Sequence, residues 1–306
     1  MADDMGKKAT RLVLALTLLT SAAADAGPVT FLTALPVAQS QAVVRAQYLL
    51  IRASDDSTPA DPRLTVHGVP LAIAVGVTPR LALFGIVPIV NKSLAVNTPL
   101  GRVTRRTAGV GDVVTFARYT VYAVDRADYT LRIAPFGGVK LPTGGHQGTD
   151  ALGQLARPLQ LGSGSWDALG GLALTWQTKH WELDADAGFR KTTAADGFQF
   201  GDEFFSDQSL QYRMWPRVLD AGVPAFLFAV IESNLTVQGR NSLGIASDPN
   251  SGGTRWDLDL GLQYVTANYI LEGIVQIPAI KRPNGTGLRN DFRFTAGLRW
   301  NVSLPF

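Results

Sequence analysis

Acidic and basic side chains recur at every second position in several otherwise apolar stretches of the sequence. Between residues 181 and 189, for example, Glu182, Asp184 and Asp186 alternate with apolar or aromatic residues. Successive side chains of a β-strand point to opposite faces, so each such stretch predicts a strand with one charged face and one apolar face. The charged faces are the first candidates for contact with a polar solute or with water.

We expect the charged members of this pattern to line one common interior. They are Arg45, Asp112, Arg118, Arg132, Lys140, Glu182, Asp184, Asp186, Arg213, Glu232, Asp257, Asp259, Glu272, Arg293 and Arg299, and Asp167 and Arg190 share their parity. Acidic residues concentrate at 182–186 and 257–272, and basic residues at 118–140 and 293–299. Two interpretations stay open, because these charges either flank a hydrated passage or pair with one another in a closed interior.

The stretch LQLGSGSWD at 159–167 is the strongest candidate for a nucleophile, because Ser163 and Ser165 flank a glycine. The pattern is not G-x-S-x-G and no strand-to-helix turn follows, so a glycine bend in a loop is favoured. None of the three histidines, of which His146 lies in a glycine-rich loop, has a serine and an acid beside it in the sequence. We therefore predict no enzyme, and no spacing of His, Asp or Glu predicts a metal or a cofactor.

The composition restricts the folds that can carry such faces. Of the 306 residues, 46% are hydrophobic and only 17% are charged, against a usual charged share of about 25%. No window after residue 26 holds about 18 consecutive apolar residues, so no transmembrane helix is predicted there. The net charge of +3 is no nucleic-acid signature, and the absence of cysteine excludes disulfide scaffolds and thiol enzymes. An apolar soluble β protein and a membrane β-barrel remain.

The first 26 residues are predicted to be a signal peptide. Basic residues at 7–11 precede an apolar run at 12–19, and an A-x-A cleavage pattern ends at Ala26. Residues 27–39, called the N-terminal segment below, are too apolar for a free tail. We predict that this segment is a plug in the periplasmic mouth of the barrel that follows it. The alternative is that it docks in the inner leaflet of the membrane and does not affect flux.

Three features favour an outer-membrane β-barrel over residues 40–306. Short turns alternate with longer loops, which lie near 53–63, 91–108, 143–163, 191–206, 237–254 and 282–288. Aromatic residues sit at strand ends, where amphipathic rings reach the lipid headgroups. The last strand alternates and ends on Phe306, which resembles the signal recognised by the barrel-assembly machinery. We therefore predict an all-β, closed antiparallel barrel in the outer membrane of a Gram-negative bacterium, in contact with its lipid.

The barrel is predicted to have twelve strands. They span 40–52, 64–77, 80–90, 109–124, 128–142, 159–177, 180–191, 205–216, 225–237, 254–266, 268–281 and 289–304. Pro88, Pro135 and Pro278 fall within them. Because proline has no N–H to donate to a neighbouring strand, we predict a bulge or a break in the pairing near each.

A series of short motifs resembles one known family. The most specific are Lys140-Leu141-Pro142-Thr143-Gly144 and the stretch from Leu159 to Asp167, which are preceded by Gly109-Val110-Gly111-Asp112 and followed by Glu232-Ser233-Asn234 and Gly297-Leu298-Arg299-Trp300. In this order they resemble the outer-membrane family labelled "meta-pathway of phenol degradation" transporters, over most of the mature chain. The resemblance implies a barrel for the uptake of aromatic or hydrophobic compounds, and it assigns no binding residues.

Three functional hypotheses follow. The leading one is an outer-membrane channel that passes small hydrophobic or aromatic molecules by passive diffusion and needs no cofactor. An outer-membrane lipid hydrolase is the second, and a structural barrel with a closed lumen is the third. Conductance in planar bilayers separates the first from the third.

Overall fold

The structure is a computed structural model that describes residues 26–54, 58–219 and 222–304. The predicted signal peptide, apart from Ala26, and the predicted assembly signal at Phe306 lie outside these ranges. Within them, no helix is long and apolar enough to cross a membrane.

The chain forms a closed antiparallel barrel of twelve strands, as the alternation predicted. The strands are β1 Gln41–Ser54, β2 Arg63–Gly76, β3 Leu81–Thr98, β4 in three pieces (β4a Gly101–Val110, β4b Val114–Tyr119, β4c Tyr122–Asp125), β5 Tyr129–Lys140, β6 Asp167–Thr178, β7 Trp181–Lys191, β8 Glu203–Trp215, β9 Ala225–Gln238, β10 Gly253–Thr266, β11 Tyr269–Pro283 and β12 Arg289–Ser303. Each strand pairs with its sequence neighbours, and β12 pairs with β1 from Ser303 opposite Gln41 to Arg289 opposite Ser54. That pairing leaves the barrel without a free edge across the membrane.

The two faces of the wall differ in character. On β9 and β10, Ile231 lies opposite Leu260, and both point outward with 52% and 63% of their surface exposed. The next pair, Glu232 and Asp259, points inward and is fully buried. On these strands the outer surface is therefore apolar, and the charges face the lumen.

The fourth strand differs from its prediction, which was one continuous strand over 109–124. Pro88 on β3 lies opposite the break between β4a and β4b, where its carbonyl accepts a hydrogen bond from the N–H of Gly111 at 2.8 Å. Pro135 on β5 lies opposite the break between β4b and β4c. Each proline removes one N–H from the ladder, so β4 loses pairing beside both of them. The bulge predicted at Pro278 is also present, facing β10.

Two predicted boundaries are wrong, namely the end of the third strand and the start of the sixth. Residues 91–98 continue β3, which forms a hairpin with β4a through a turn at Gly101, whose φ is +115°. β6 begins at Asp167 rather than at 159, because the residues before it turn away from the wall. Leu159 is fully buried against Leu94, and the carbonyl of Gln160 accepts a hydrogen bond from Lys92 at 2.6 Å.

Candidate functional site: the barrel lumen

The N-terminal segment lies inside the lumen, on the side of the short turns. Val29 and Ala34 are fully buried there. Gln39 forms a bridge with Gly76, next to the start of β1. The segment is therefore surrounded by the inward side chains of the wall, which contact it from several strands.

Two arginines and a carboxylate hold the beginning of the segment. Arg299 donates to the carbonyl of Gly27 at 3.2 Å and also reaches the carbonyls of Ala26 and Pro28. Arg45 donates to the carbonyl of Val29. Glu272 lies between the two guanidinium groups and pairs with each at 2.7 Å. The buried carboxylate thus orients both arginines toward backbone carbonyls.

Glu232 on β9 holds the next part of the segment by its N–H groups. Its carboxylate accepts hydrogen bonds from the N–H of Val29 at 2.6 Å and the N–H of Thr30 at 3.1 Å, and from the hydroxyl of Thr30. We call Arg45, Glu232, Glu272 and Arg299 the charged wall. Because Arg45, Glu232 and Arg299 bind backbone groups of the segment, their binding depends little on its side chains.

The far part of the segment is held from the opposite side. Arg118 on β4b donates to the carbonyls of Thr33 and Leu35. The N–H of Ala34 donates to the hydroxyl of Thr175 on β6 at 2.8 Å, and that hydroxyl donates to Asp184 at 2.5 Å. The segment is therefore anchored at both ends across the lumen.

Four phenylalanines form a continuous apolar surface on the side of the lumen near Arg118. Phe84 and Phe116 stack with ring centroids 4.5 Å apart, and Phe116 meets Phe136 edge-on at 6.3 Å. Phe136 and Phe205 are also 6.3 Å apart. We call these four residues the aromatic band. Leu32 and Ala34 of the N-terminal segment pack against it.

Two glycines leave space for the rings of Phe136 and Phe205. A Cβ atom on Gly171 of β6 would lie 2.7 Å from the ring of Phe136, and one on Gly188 of β7 would clash with the ring of Phe205. The rings thus lie flat over β6 and β7, where any other residue would displace them. The band extends in this way from β3 to β8.

Cavities lie on both sides of the N-terminal segment. One of about 260 Å³ is lined by Phe84, Phe116 and Leu32, and one of about 290 Å³ is lined by Phe205, Thr30 and other residues farther toward the long loops. A third, of about 200 Å³, lies at the loop end between Lys140 and Arg190. The aromatic band connects the first two cavities beneath Leu32.

The structure places the predicted charged residues in three groups. Arg45, Arg118, Glu232 and Arg299 contact the N-terminal segment directly, and Glu272 orients two of these arginines. Asp184 is linked to the segment through Thr175, and Glu182 and Asp186 are buried on the same face of β7. Asp112, Lys140, Asp257, Asp259 and Arg293 lie on the loop side, with Asp167 and Arg190. Arg132 and Arg213 lie near the short turns, where Arg132 pairs with Asp125 and Arg213 lies over the ring of Phe226.

Sequence reasoning missed the uncharged members of the site. Thr175, Gln47 and Gln263 contact the segment, the last by donating to the carbonyl of Gly27 at 2.7 Å. The phenylalanines of the aromatic band have inward parity as well. The alternation that identified the charges would have found them, had every inward position been considered rather than the charged ones alone.

The two serines of the 159–167 stretch are tied into an ion-pair cluster. Lys140 pairs with Asp112 at 3.1 Å and with Asp167 at 2.9 Å, and it also contacts Ser163. Ser163 donates to Asp112 at 2.9 Å, and Ser165 donates to Asp167 at 3.0 Å. This cluster attaches the loop between β5 and β6 to the long-loop end of the barrel.

Comparison with known proteins agrees with this architecture. A search of functionally curated proteins gave no match. The crystal structure of an outer membrane channel from Pseudomonas putida F1 matches with a TM-score of 0.66 and 18% identity, covering 91% of this chain and 100% of that one. The β domain of the Bordetella autotransporter BrkA matches with a TM-score of 0.43 and 14% identity, covering 85% and 99%.

A sealed antiparallel barrel with an apolar outer face is the architecture of outer-membrane proteins. The protein is thus an outer-membrane β-barrel of a Gram-negative bacterium. A sequence family matches residues 70–276, which is more than half of the 306-residue chain. The chain belongs to that family, described as "Putative MetA-pathway of phenol degradation".

Proposed function

We propose that this protein is a passive channel for small hydrophobic or aromatic molecules. The aromatic band carries the proposal, because it connects the two larger cavities of the lumen by a continuous apolar surface. Stacked or edge-on contact with a ring stabilises an aromatic solute by about 0.5–1.5 kcal/mol beyond simple burial. Weak contacts of this size, repeated along a path, let a solute enter and also leave. The concentration gradient drives the flux, so no cofactor is needed.

The N-terminal segment acts in this proposal as the plug of the channel. Its backbone is held by the charged wall on one side and by Arg118 on the other, so it crosses the passage between the two cavities. Leu32 covers the middle of the aromatic band. Movement of Leu32 away from the band would join the two cavities into one path.

Two interactions outside the lumen complete the proposal. The outward apolar residues contact outer-membrane lipid, and Phe306 presents the C-terminal strand to the barrel-assembly machinery. No nucleic acid is involved, because a net charge of +3 is too small for the basic surface that nucleic-acid binding needs.

We also propose that the protein is not an enzyme. The amine of Lys140 is held in ion pairs with Asp112 at 3.1 Å and Asp167 at 2.9 Å, so it is not free to act as a base for a neighbouring serine. His146 pairs with Asp196 at 3.0 Å, while the hydroxyls of Ser163 and Ser165 donate to other acids. The lipid-hydrolase alternative requires an esterase activity that His146→Ala abolishes.

The entry of N-phenyl-1-naphthylamine into whole cells tests the channel. This aromatic dye fluoresces only after it has crossed the outer membrane. Cells that make the protein should take it up faster than cells without it, and Phe116→Ala should slow this uptake while leaving the potassium chloride conductance of the purified protein unchanged or higher. Phe228→Ala is the control, because Phe228 lies in the lumen but outside the aromatic band.

Two outcomes would contradict the proposal. Uptake that does not depend on the protein would favour a closed structural barrel, particularly if planar bilayers also show no conductance. Equal loss of uptake in the Phe116 and Phe228 variants would show that the aromatic band has no special part in the path.

A further inference from the structure

Four polar residues form one line across the outer face of the barrel, near the long loops. In the strand register, Arg52 of β1 lies opposite Thr65 of β2, Thr65 opposite Ser93 of β3, and Ser93 opposite Arg106 of β4a. Their neighbours along the strands, such as Leu94 and Val66, are buried and face inward. All four side chains therefore point away from the lumen, and we call them the arginine line.

The arginine line lies directly above the apolar face. On the same outward parity and closer to the membrane centre lie Leu50, Val69, Ile89 and Val110. Tyr48, two residues before Leu50 on β1, also points outward and lies closer to the membrane centre. Its hydroxyl lies 2.8 Å from Nδ1 of His67. Because amphipathic rings take the level of the lipid headgroups, Tyr48 and His67 mark that level just beneath Arg52.

The two end residues of the line have free charges. Arg63 and Arg102, which lie nearby, share Asp61 at 3.1 and 3.0 Å. In the described part of the chain, Arg52 and Arg106 have no ion pair, and both are exposed. Arg52 lies over the ring of Phe292, with 5.7 Å to its centroid, which orients the guanidinium without neutralising it.

Among the described residues, the long-loop ends of β7 to β9 have no such line. At the long-loop ends of β7 to β9, outward positions carry Phe189, Phe204 and Val237, which are exposed. Lys191 also points outward at the long-loop end of β7, but its charge is neutralised by Asp202 at 2.5 Å. Within the described ranges, free cations at outward positions therefore occur at the long-loop ends of β1 and β4a and not at those of β7 to β9.

We infer that the arginine line binds the phosphorylated disaccharide headgroup of lipid A, the glycolipid of the outer leaflet. Guanidinium groups bind phosphate with two parallel hydrogen bonds. Arg52 and Arg106 are three strands apart, or roughly 14 Å at a strand spacing of about 4.8 Å. The hydroxyls of Thr65 and Ser93 lie between them for the sugars, and the apolar residues below contact acyl chains. A phospholipid, with one phosphate and two chains, would occupy only one end of this arrangement.

The two arginines would also meet the headgroup at different heights. A line of opposite partners that starts at Val44, near the short-turn end of β1, reaches Val139, near the long-loop end of β5. Lines of partners therefore climb away from the short-turn side from β1 toward β5, as expected for tilted strands. Arg106 thus lies farther from the membrane centre than Arg52, which lies at the boundary with the acyl chains.

Binding of hexa-acylated lipid A to the purified full-length protein in detergent tests this inference, with native mass spectrometry as the readout. Arg52→Gln combined with Arg106→Gln should weaken binding by about tenfold or more for each arginine, the usual effect of losing a charge-assisted phosphate contact. Arg52→Lys with Arg106→Lys should keep much of the affinity. Lys191→Gln, on the other half of the barrel, should bind as the unchanged protein does.

Two further ligands identify the source of the phosphate. Lipid A stripped of both phosphates and dioleoyl phosphatidylglycerol should each bind at least tenfold more weakly than intact lipid A. Equal binding of phosphatidylglycerol, or full binding by the double glutamine variant, would overturn the inference. Arg106→Gln alone should still show the loss if the double variant folds poorly, because Arg106 lies on the β3–β4a hairpin, beyond the break in β4.

Discussion

The two sides of the lumen hold the same N-terminal segment by different physical means. The charged wall binds backbone carbonyls and N–H groups through Arg299, Arg45 and Glu232. The aromatic band packs against the side chains of Leu32 and Ala34. Contacts with backbone groups accept almost any sequence, whereas the apolar contacts depend on side-chain size and shape. The difference indicates that the charged wall fixes where the segment lies, and that the aromatic band is the side on which an apolar solute can compete with it.

The largest expected effect tests whether both sides face inward at all. Leu298 points outward on β12, and Thr295 points inward and lines the cavity of about 290 Å³. An arginine near the middle of the lipid-facing band costs about 2–4 kcal/mol, so Leu298→Arg should greatly reduce assembly. Thr295→Arg can place its charge in the cavity and should assemble normally. Heat-modifiable gel mobility measures both, and equal folding of the two variants would refute the assignment of faces.

Removal of the N-terminal segment should have the next largest effect. Deleting residues 28–38 removes the groups held by Glu232 and Arg118 and leaves every strand of the barrel intact. The single-channel conductance in planar bilayers should rise severalfold, and heat-modifiable mobility should be unchanged. An intact barrel with unchanged conductance would show that the segment does not limit the passage.

A smaller effect is expected when one contact of the charged wall is weakened. Glu232→Gln replaces charged hydrogen bonds to the segment, each contributing about 1.5–3 kcal/mol, by weaker neutral ones. Openings of the channel should become more frequent, by about tenfold for each 1.4 kcal/mol. Asp259→Asn is a matched control, because Asp259 lies directly opposite Glu232 and bonds to Gln276 instead of the segment. Equal changes in the two variants would mean that general loss of lumen charge causes the effect.

The smallest effect concerns the long loop between β5 and β6, which lies on the same side of the barrel as the aromatic band. Arg105 of β4a donates to Asp150 in this loop at 2.6 Å, and this hydrogen bond holds the pKa of Asp150 below its ordinary value of 3.8. A lowered pKa in the folded state means that the stabilisation is complete above the ordinary pKa and is lost as the pH falls through the lowered one. Limited proteolysis of the loop at 149–154 should therefore be slow at pH 7 and should increase only in strong acid. The Asp150→Asn variant should be cleaved readily both at pH 7 and in strong acid. A proteolysis rate of the unchanged protein that does not depend on pH would contradict the role of this ion pair.

The sequence contained enough to predict the barrel, its number of strands and the three prolines that disturb its pairing. Period-two alternation is a local property, and Pro88 or Pro135 acts on its immediate neighbours. The extension of β3 through residues 91–98 was missed because outward Asn91 and Ser93 are polar at the level of the lipid headgroups, where the apolar half of the alternation ends. The burial of Leu159 was missed because it depends on Leu94, which is distant in the sequence.

The partners of the N-terminal segment could not be predicted for a related reason. Its apolar character predicted that it must dock, but hydrogen bonds to Glu232 and Thr175 are set by the curvature of the closed barrel. Strand parity states which residues face the lumen. It does not state how far each side chain extends across it, and this distance decides which residues meet the segment.

The separation in sequence between the N-terminal segment and its anchors has a consequence for the order of folding. Val29 and Glu232 are 203 residues apart, and Ala26 and Arg299 are 273 residues apart. Contacts between residues so distant form late, because the chain between them must first be ordered. Glu232, Glu272 and Arg299 come together only when the last strands have joined the sheet, and β12 then closes on β1, the strand that follows the segment. The first residues of the described chain are therefore among the last to find their place, and the segment settles into a lumen that the rest of the protein has already built.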